Sequence, residues 1–329
     1  MGYAREKLPH ECYAPDTGDG WLLDLCVFRD PEAFDPKLAP LVMIPGYGMN
    51  THPLTYHPTG ESLTEHLCGR GFEVWAANLR GQGRSARLSG RRRYGFPELA
   101  LTDLPVTFQT VLERTKTEAN TLTPIGCSLG ASLVYAYLAH HRDDHPLQSM
   151  VAVGGPLRWD KIHPLLRVAF GSPRLVGSIP MAGTRKLAAT AMPLIKRLPK
   201  LAAIYMNASI IDMEAADELV LTVEDPNPEL NRQIASWVVK KDLVVEGVNA
   251  SEALTGLELP ILCILANADG IVTPEAALSV KKIVDHGSVE LLEVGDDETW
   301  FAHADLFVSN HARAQVFEPL GHWLLGARN

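Results

Sequence analysis

Three residue types in this chain, in the order serine, aspartate and histidine, could together perform nucleophilic catalysis. Ser128 stands in the run GCSLG, Asp269 follows a continuous apolar run, and His303 lies near the end of the chain. A serine hydroxyl becomes a strong nucleophile when an imidazole takes its proton and a carboxylate fixes and stabilises that imidazole. The predicted chemistry is acyl transfer through a covalent acyl-enzyme, provided that the fold brings these side chains together.

The residues around Ser128 predict a strand, a tight turn and a helix. The stretch 122–127 is apolar, and Gly126 and Gly130 avoid the clashes that side chains would cause in a sharp turn. A helix with a wide apolar face is expected from Ser128 to about His141. Its first free N–H groups would favour negative charge next to the serine.

Strands and helices are expected to alternate on both sides of this turn, which indicates an α/β fold with a mostly parallel central sheet. Run 260–266 is continuously apolar, as in strands buried on both faces. Asp269 follows it at the carboxyl edge, where open α/β sheets bind their ligands. Strands are expected at 21–28 (an edge strand), 41–44, 72–77, 122–127, 148–153, 260–266 and 289–294, and helices at 61–69, 94–112, 128–141, 275–285 and 312–325.

Residues 156–250 interrupt the alternation. They are helical in pattern, punctuated by prolines, and contain no convincing strand. We therefore predict a helical cap at 156–250, inserted after the sixth strand between two parts of the core, 1–155 and 251–329. The first half of the cap is basic, with Asp160 as its single acid, and the second half is acidic. The basic half is either a solvated face that pairs with the acidic half or a surface for anionic lipid or an acidic substrate group.

Composition excludes several classes of protein. A net charge of −9 at pH 7 argues against general nucleic-acid binding. No run approaches the roughly 18 to 20 apolar residues of a membrane span. Residues 1–15 lack the apolar core of a secretory signal, so a cytoplasmic location is expected. The sequence leaves the oligomeric state open.

The cysteines are scattered, odd in number and without the spacing of metal ligands, so neither a disulfide framework nor a zinc site is expected. Three of them lie in apolar runs, where a free thiol behaves as a small hydrophobic group. The five are Cys12, Cys26, Cys68, Cys127 and Cys263.

Together, these motifs resemble those of the α/β-hydrolase superfamily, serine type. G-x-S-x-G around Ser128 is the nucleophile elbow of that family, and the order Ser, Asp, His is its triad order. The run NLRGQGRS at 78–85 is similar to its D-x-R-G-x-G-x-S loop, with Asn78 in place of the usual aspartate. The helical stretch after Tyr94 and the run WFAHAD at 300–305 are modestly similar to acid-lipase-like hydrolases, although the second motif is one residue longer here.

The resemblance implies a role for each catalytic candidate. Ser128 would be the nucleophile, His303 the general base and then general acid, and Asp269 the triad acid, because the family places an aspartate in the turn before V-x-P. Asp160 is the alternative acid, since some family members place it after the sixth strand. Asp305 is expected to support or cap the loop of the histidine.

The oxyanion hole is also implied by the resemblance. In this family the loop after the third strand supplies one backbone N–H, and the residue after the serine supplies the other. These donors would be Tyr47 and Leu129. The alternative for 45–48 is an ordinary glycine turn that closes a strand.

The function expected from this resemblance is hydrolysis of carboxylic esters, without a metal or an organic cofactor. The substrate would be a small or lipid-like ester, and the apolar first half of the cap favours medium or long acyl chains. Two alternatives stay open at this stage. One is an acyltransferase related to polyester synthases, which uses the same acyl-enzyme, and the other is a ligand-binding homologue without catalysis.

Overall fold

A computed structural model describes residues 8, 10–176, 182–197, 202–284 and 286–326 and is built around an eight-stranded sheet. The order across the sheet is β1-β2-β4-β3-β5-β6-β7-β8. β2 is antiparallel to both of its neighbours, and the pairs from β4 onward are parallel. The strands are β1 (His10–Tyr13), β2 (Asp24–Phe28), β3 (Leu41–Ile44), β4 (Val74–Asn78), β5 (Thr123–Cys127), β6 (Met150–Val153), β7 (Ile261–Ala266) and β8 (Val289–Val294).

Helices connect the strands, and two π-helical turns adjoin them. The π turn Leu99–Asp103 joins α3 to α4, and Arg313–Phe317 precedes α14. The helices are α1 (His52–Thr55), α2 (Leu63–Gly69), α3 (Phe96–Glu98), α4 (Leu104–Arg114), α5 (Leu129–His140), α6 (Pro164–Ala169), α7 (Pro173–Val176), α8 (Thr184–Arg197), α9 (Ala216–Leu219), α10 (Pro228–Lys240), α11 (Ala250–Ala253), α12 (Pro274–Ala277), α13 (Asp305–Val308) and α14 (Glu318–Gly326).

The central strands and α5 follow the sequence pattern most closely. β3 and β7 are buried along their whole length, as their continuous apolar runs predict. α5 is buried on all sides from Leu129 to Leu138, because it contacts the sheet, the π turn before α4 and α11. The sequence predicts a wide apolar face on this helix, whereas the structure buries all of its sides over these residues.

The amino-terminal edge of the sheet differs from the prediction. The sequence predicts one edge strand at 21–28, but Trp21–Leu22 pairs with Ala86–Arg87 in a separate ribbon. β2 lies inside the sheet, because β1 covers its outer side. The register sets Cys12 opposite Cys26, and the two form a disulfide. The expectation of no disulfide is therefore wrong, since sequence spacing does not reveal which cysteines a strand register brings together.

The expected cytoplasmic location stays a prediction. Within the part of the chain that the structure describes, no helix is long and apolar enough to cross a membrane. The disulfide counts against a cytoplasmic location, because cytosolic proteins rarely retain such a bond.

Removing the disulfide should destabilise the fold. The double variant Cys12→Ser, Cys26→Ser is expected to lose about 3 kcal/mol of unfolding free energy, because a closed loop of this length restricts the unfolded chain. Urea unfolding followed by tryptophan fluorescence measures the loss. As a control, dithiothreitol should lower the wild-type midpoint to that of the variant and leave the variant unchanged. Equal urea midpoints of the wild type with and without reductant would show that the disulfide does not stabilise the fold.

Candidate active site

Ser128 occupies the sharp turn between β5, which ends at Cys127, and α5, which begins at Leu129. Its φ is 52° and its ψ is −118°, a conformation that costs a residue with a side chain about 1–3 kcal/mol. Its N–H donates to the carbonyl oxygen of Val153 at 2.7 Å, which fixes the turn against β6. The structure therefore holds Ser128 in a strained backbone conformation at the carboxyl edge of the sheet.

The two glycines that flank Ser128 are required by close packing. A Cβ at Gly126 would lie 2.5 Å from the Cα of Ala131, and one at Gly130 would lie 2.3 Å from the carbonyl oxygen of Ile44. Any side chain there would push the start of α5 away from β3 and β5. The close approach explains why the turn has glycine at these two positions.

His303 and Asp269 are hydrogen-bonded to each other, and both are buried. The Nδ1 of His303 lies 2.6 Å from Oδ2 of Asp269, and the other carboxylate oxygen accepts the N–H groups of Ile271 and Val272, each at 2.8 Å. Burial lowers the pKa of His303, but the charge and hydrogen bond of Asp269 outweigh it, so the pKa is raised. Because Asp269 occupies Nδ1, Nε2 is the nitrogen left for proton transfer.

The alternative acid lies elsewhere. Asp160 forms ion pairs with Lys282 at 2.8 Å and with Arg158 at 3.1 Å. Its carboxylate is therefore engaged by two cations, while Asp269 contacts His303. The geometry favours Asp269 as the partner of the histidine.

The loop after β3 comes close to the serine. A Cβ at Gly46 would lie 3.0 Å from the Cβ of Ser128, and the neighbouring Tyr47 lines the same cavities as Ser128. The hydroxyl of Tyr47 donates to Oδ1 of Asn231 at 2.8 Å, which ties this loop to α10. Leu129 is the first residue of α5, so its N–H has no acceptor within the helix. Tyr47 and Leu129 remain the predicted oxyanion donors.

Gly154 is a site residue that the sequence pattern did not indicate. It follows β6 with a φ of 56°, and a Cβ there would lie 3.0 Å from Cε1 and 3.2 Å from Nδ1 of His303. The imidazole therefore packs directly on the backbone of this glycine. The pair of glycines immediately after the strand, at 154 and 155, was the available signal.

Asn207 is a second residue that sequence reasoning missed. Its N–H donates to Oδ2 of Asp305 at 2.9 Å, and the same oxygen accepts the N–H of Ala302 at 2.7 Å. Burial raises the pKa of Asp305 to about 6, although these hydrogen bonds act in the opposite direction. Backbone hydrogen bonds of 3.1 and 2.8 Å also join 204–207 to the loops that follow Asp269 and His303. Stretch 204–207 thus contacts the loops that follow both Asp269 and His303.

Two cavities meet at the serine and the histidine, with volumes of about 240 and 360 Å³. Among the described residues, no lysine, arginine, aspartate or glutamate lines either cavity. The first, here called the aromatic lobe, is lined by Trp159, Ile162, Leu166, Phe170, Ile234 and Trp237. The second, the aliphatic lobe, is lined by Ala188, Met192, Met206, Leu219, Phe307 and Val308. Both lobes are lined by Tyr47, Met49, Ser128, Tyr205 and His303.

No metal site is evident in the described ranges, where no group of three histidine, cysteine, aspartate or glutamate side chains could hold an ion. The site is thus an apolar double cavity with a serine, a histidine and an aspartate at its junction. This arrangement has the side chains that covalent acyl transfer requires.

Comparison with known proteins gives a family match. The family described as serine aminopeptidase, S33 (Hydrolase_4) matches residues 41–294, a range that includes Ser128 and Asp269 and ends before His303. No curated protein sequence gives a significant match.

Solved structures share the fold at low sequence identity. An esterase from Rhodococcus sp. ECU1013 is 16% identical, covers 97% of this chain and 99% of its own, and has a TM-score of 0.61. A thermophilic esterase from Thermogutta terrifontis is 15% identical, with 98% and 100% coverage and a TM-score of 0.61. A meta-cleavage product hydrolase from Pseudomonas fluorescens IP01 is 14% identical, with 98% and 99% coverage and a TM-score of 0.64. These similarities confirm the predicted α/β-hydrolase fold.

Two substitutions should separate the acids. Asp269→Asn is expected to lower kcat by about 10,000-fold, because an amide at this position favours the wrong histidine tautomer. Asp160→Asn should leave kcat near the wild-type value, since it removes only ion pairs with Arg158 and Lys282. Steady-state hydrolysis of p-nitrophenyl butyrate measures both. The opposite ranking would move the triad acid to Asp160.

Gly154→Ala should reduce kcat by about tenfold or more, because the new methyl group displaces the imidazole of His303. Gly256→Ala is the matched control, since Gly256 also has a positive φ, of 70°, but its Cβ would lie no closer than 4.0 Å to another residue. Both variants should lose similar stability in thermal unfolding, and only Gly154→Ala should lose activity. Equal kcat values would show that Gly154 does not position the histidine.

Proposed function

We propose that this chain, which belongs to the serine aminopeptidase S33 family of α/β-hydrolases, hydrolyses carboxylic esters with medium or long apolar acyl chains. The observation that carries the proposal is the position of Ser128 and His303. Both line two cavities that have no charged side chain among the described residues. The reacting atoms therefore face an environment suited to a neutral, apolar substrate.

The proposed reaction has two halves. Ser128 Oγ attacks the ester carbonyl while Nε2 of His303 takes the hydroxyl proton, and Asp269 stabilises the resulting imidazolium. The N–H groups of Tyr47 and Leu129 donate to the oxyanion. The C–O bond to the alcohol then breaks, and His303 gives its proton to the departing alcohol oxygen. In the second half, His303 takes a proton from a water that attacks the acyl carbon. The bond from that carbon to Ser128 Oγ then breaks, His303 returns the proton to Oγ, and the acid is released.

The uncharged lining supports an ester rather than a peptide substrate, although the family description names an aminopeptidase. A free N-terminal ammonium group is costly to bury unless a carboxylate pairs with it. The described lining has no aspartate or glutamate, and residues 177–181 and 198–201, which lie outside the described ranges, contain none either. A neutral ester needs no such partner.

The apolar lining also supports a preference for longer acyl chains. Each methylene that moves from water into such a cavity contributes about 0.8 kcal/mol, which corresponds to roughly a fourfold gain in affinity. Met49, which lines both lobes, adds a flexible side chain that adapts to acyl chains of different shape.

An anionic membrane surface stays a predicted partner of the basic half of the cap segment, 156–250. Two of the described cations there lie beside acids: Lys161 is 2.6 Å from Glu275 of the core, and Arg185 is 2.9 Å from Glu224 of the acidic half. These ion pairs support the alternative interpretation of a solvated, paired face. Lys200 lies outside the described residues.

The decisive test is Ser128→Ala, which should abolish fluorophosphonate labelling and lower turnover of p-nitrophenyl octanoate by about 10⁶-fold, because the triad acts as a unit. Ser132→Ala is the control and should still be labelled at Ser128, because the hydroxyl of Ser132 donates to the carbonyl oxygen of Pro156 at 2.7 Å. The wild type should have a higher kcat/KM for octanoate than for acetate. Labelling that persists in Ser128→Ala would disprove the mechanism, and added alcohols that capture most of the acyl group would indicate an acyltransferase.

A further inference from the structure

The two lobes diverge from a shared junction, and each has its own lining. Tyr47, Met49, Ser128, Tyr205 and His303 belong to both, whereas the other lining residues belong to one lobe only. The junction is therefore the reacting centre itself. A substrate bound there can extend in two directions from one carbonyl carbon.

Both directions are apolar. Lysine, arginine, aspartate and glutamate are missing from the described lining of the aliphatic lobe as well as from that of the aromatic lobe. An ester of a small or strongly polar alcohol would leave the apolar surface of one lobe in contact with water or with a polar group. An ester with an apolar group on each side of its carbonyl would remove apolar surface from water in both lobes.

The histidine indicates which lobe receives the alcohol. The departing alcohol oxygen must face His303, because this imidazole supplies its proton. The aliphatic lobe is lined by Ala304, Phe307 and Val308, which follow His303 in the chain, and none of these three lines the aromatic lobe. This placement favours the aliphatic lobe for the alcohol part.

The aromatic lobe lies on the side of the elbow helix. Leu129, whose N–H is a predicted oxyanion donor, lines this lobe and not the aliphatic one. Its walls include Trp159 and Trp237, whose rings pack edge to face with centroids 5.3 Å apart. With the alcohol part in the aliphatic lobe, this apolar lobe is the one left for the acyl chain.

We propose that the substrate is an ester of an apolar acyl chain with a large apolar alcohol, the acyl chain in the aromatic lobe and the alcohol in the aliphatic lobe. The proposal rests on the ester-hydrolase function proposed above. It adds that the enzyme selects for the alcohol part as well as for the acyl part, and that different residues make the two selections.

Two substrate series test it, with kcat/KM measured from the acid released. One series is alkyl butanoates from methyl to decyl, and the other is methyl esters from acetate to decanoate. In the wild type, kcat/KM should rise along both series by about tenfold or more, because each chain fills an apolar lobe. A flat alkyl butanoate series would overturn the proposal, and a flat methyl ester series would overturn the acyl assignment.

Three tryptophan substitutions in the cap segment assign the lobes. Ala188→Trp should reduce the decyl-to-methyl ratio of the butanoates by about tenfold while changing the decanoate-to-acetate ratio far less, because it fills the aliphatic lobe. Ile162→Trp should do the reverse in the aromatic lobe. Val168→Trp, at a position 84% exposed on α6, is the control and should change neither ratio.

Each variant is first checked by thermal unfolding and by fluorophosphonate labelling, so that a loss of fold is separated from a change in selectivity. If Ala188→Trp and Ile162→Trp showed each other's expected pattern, the assignment of acyl chain and alcohol to the two lobes would be overturned. Equal effects of both on both series would overturn the two-lobe proposal. If the wild type is labelled at Ser128 but fails to hydrolyse only the esters of long-chain alcohols, this inference alone is contradicted. If the wild type hydrolyses none of the esters, the proposed function itself is contradicted.

Discussion

The close packing of the start of α5 against the ends of β3 and β5 is the constraint on which the site depends. Only glycine fits at 126 and 130, because any Cβ would overlap the neighbouring backbone. The chain therefore turns within one residue, and Ser128 takes a positive φ that its neighbours enforce. The same packing sets the loop after β3 against the serine, so the nucleophile and the predicted oxyanion donors share one arrangement of backbone.

A second constraint is electrostatic. Asp269 is buried, and its two oxygens are taken by His303 and by backbone N–H groups, so its charge acts mainly on the imidazole. The nearby Asp305 also raises the pKa of His303, and the described lining of both lobes has no lysine, arginine, aspartate or glutamate. An apolar surrounding strengthens a charge interaction because little solvent screens it. The lining that supports an apolar substrate therefore also strengthens the interaction between Asp269 and His303.

Stretch 204–207 links the substrate lobes to the catalytic loops. It hydrogen-bonds to the loops after Asp269 and His303, and Tyr205 lines both lobes with its ring centroid 6.1 Å from that of His303. Asn207 and the buried Asp305 fix this contact. Binding in either lobe therefore involves residues that are attached to the histidine loop, which gives the cap segment a direct physical route to the reacting groups.

The sequence by itself determined the central strands and the turn at Ser128, because buried strands and glycine-flanked turns leave local patterns of apolar and small residues. The fold class and the candidates Asp269 and His303 came from the resemblance of the motifs to those of α/β-hydrolases. Only the tertiary structure decided which groups meet. The cross-strand register pairs Cys12 with Cys26 and moves β2 inside the sheet, the contact of Gly154 with His303 joins positions far apart in sequence, and Asp269 rather than Asp160 contacts the imidazole. The two lobes arise in the same way, since a cavity depends on how distant segments pack and no single segment encodes its shape.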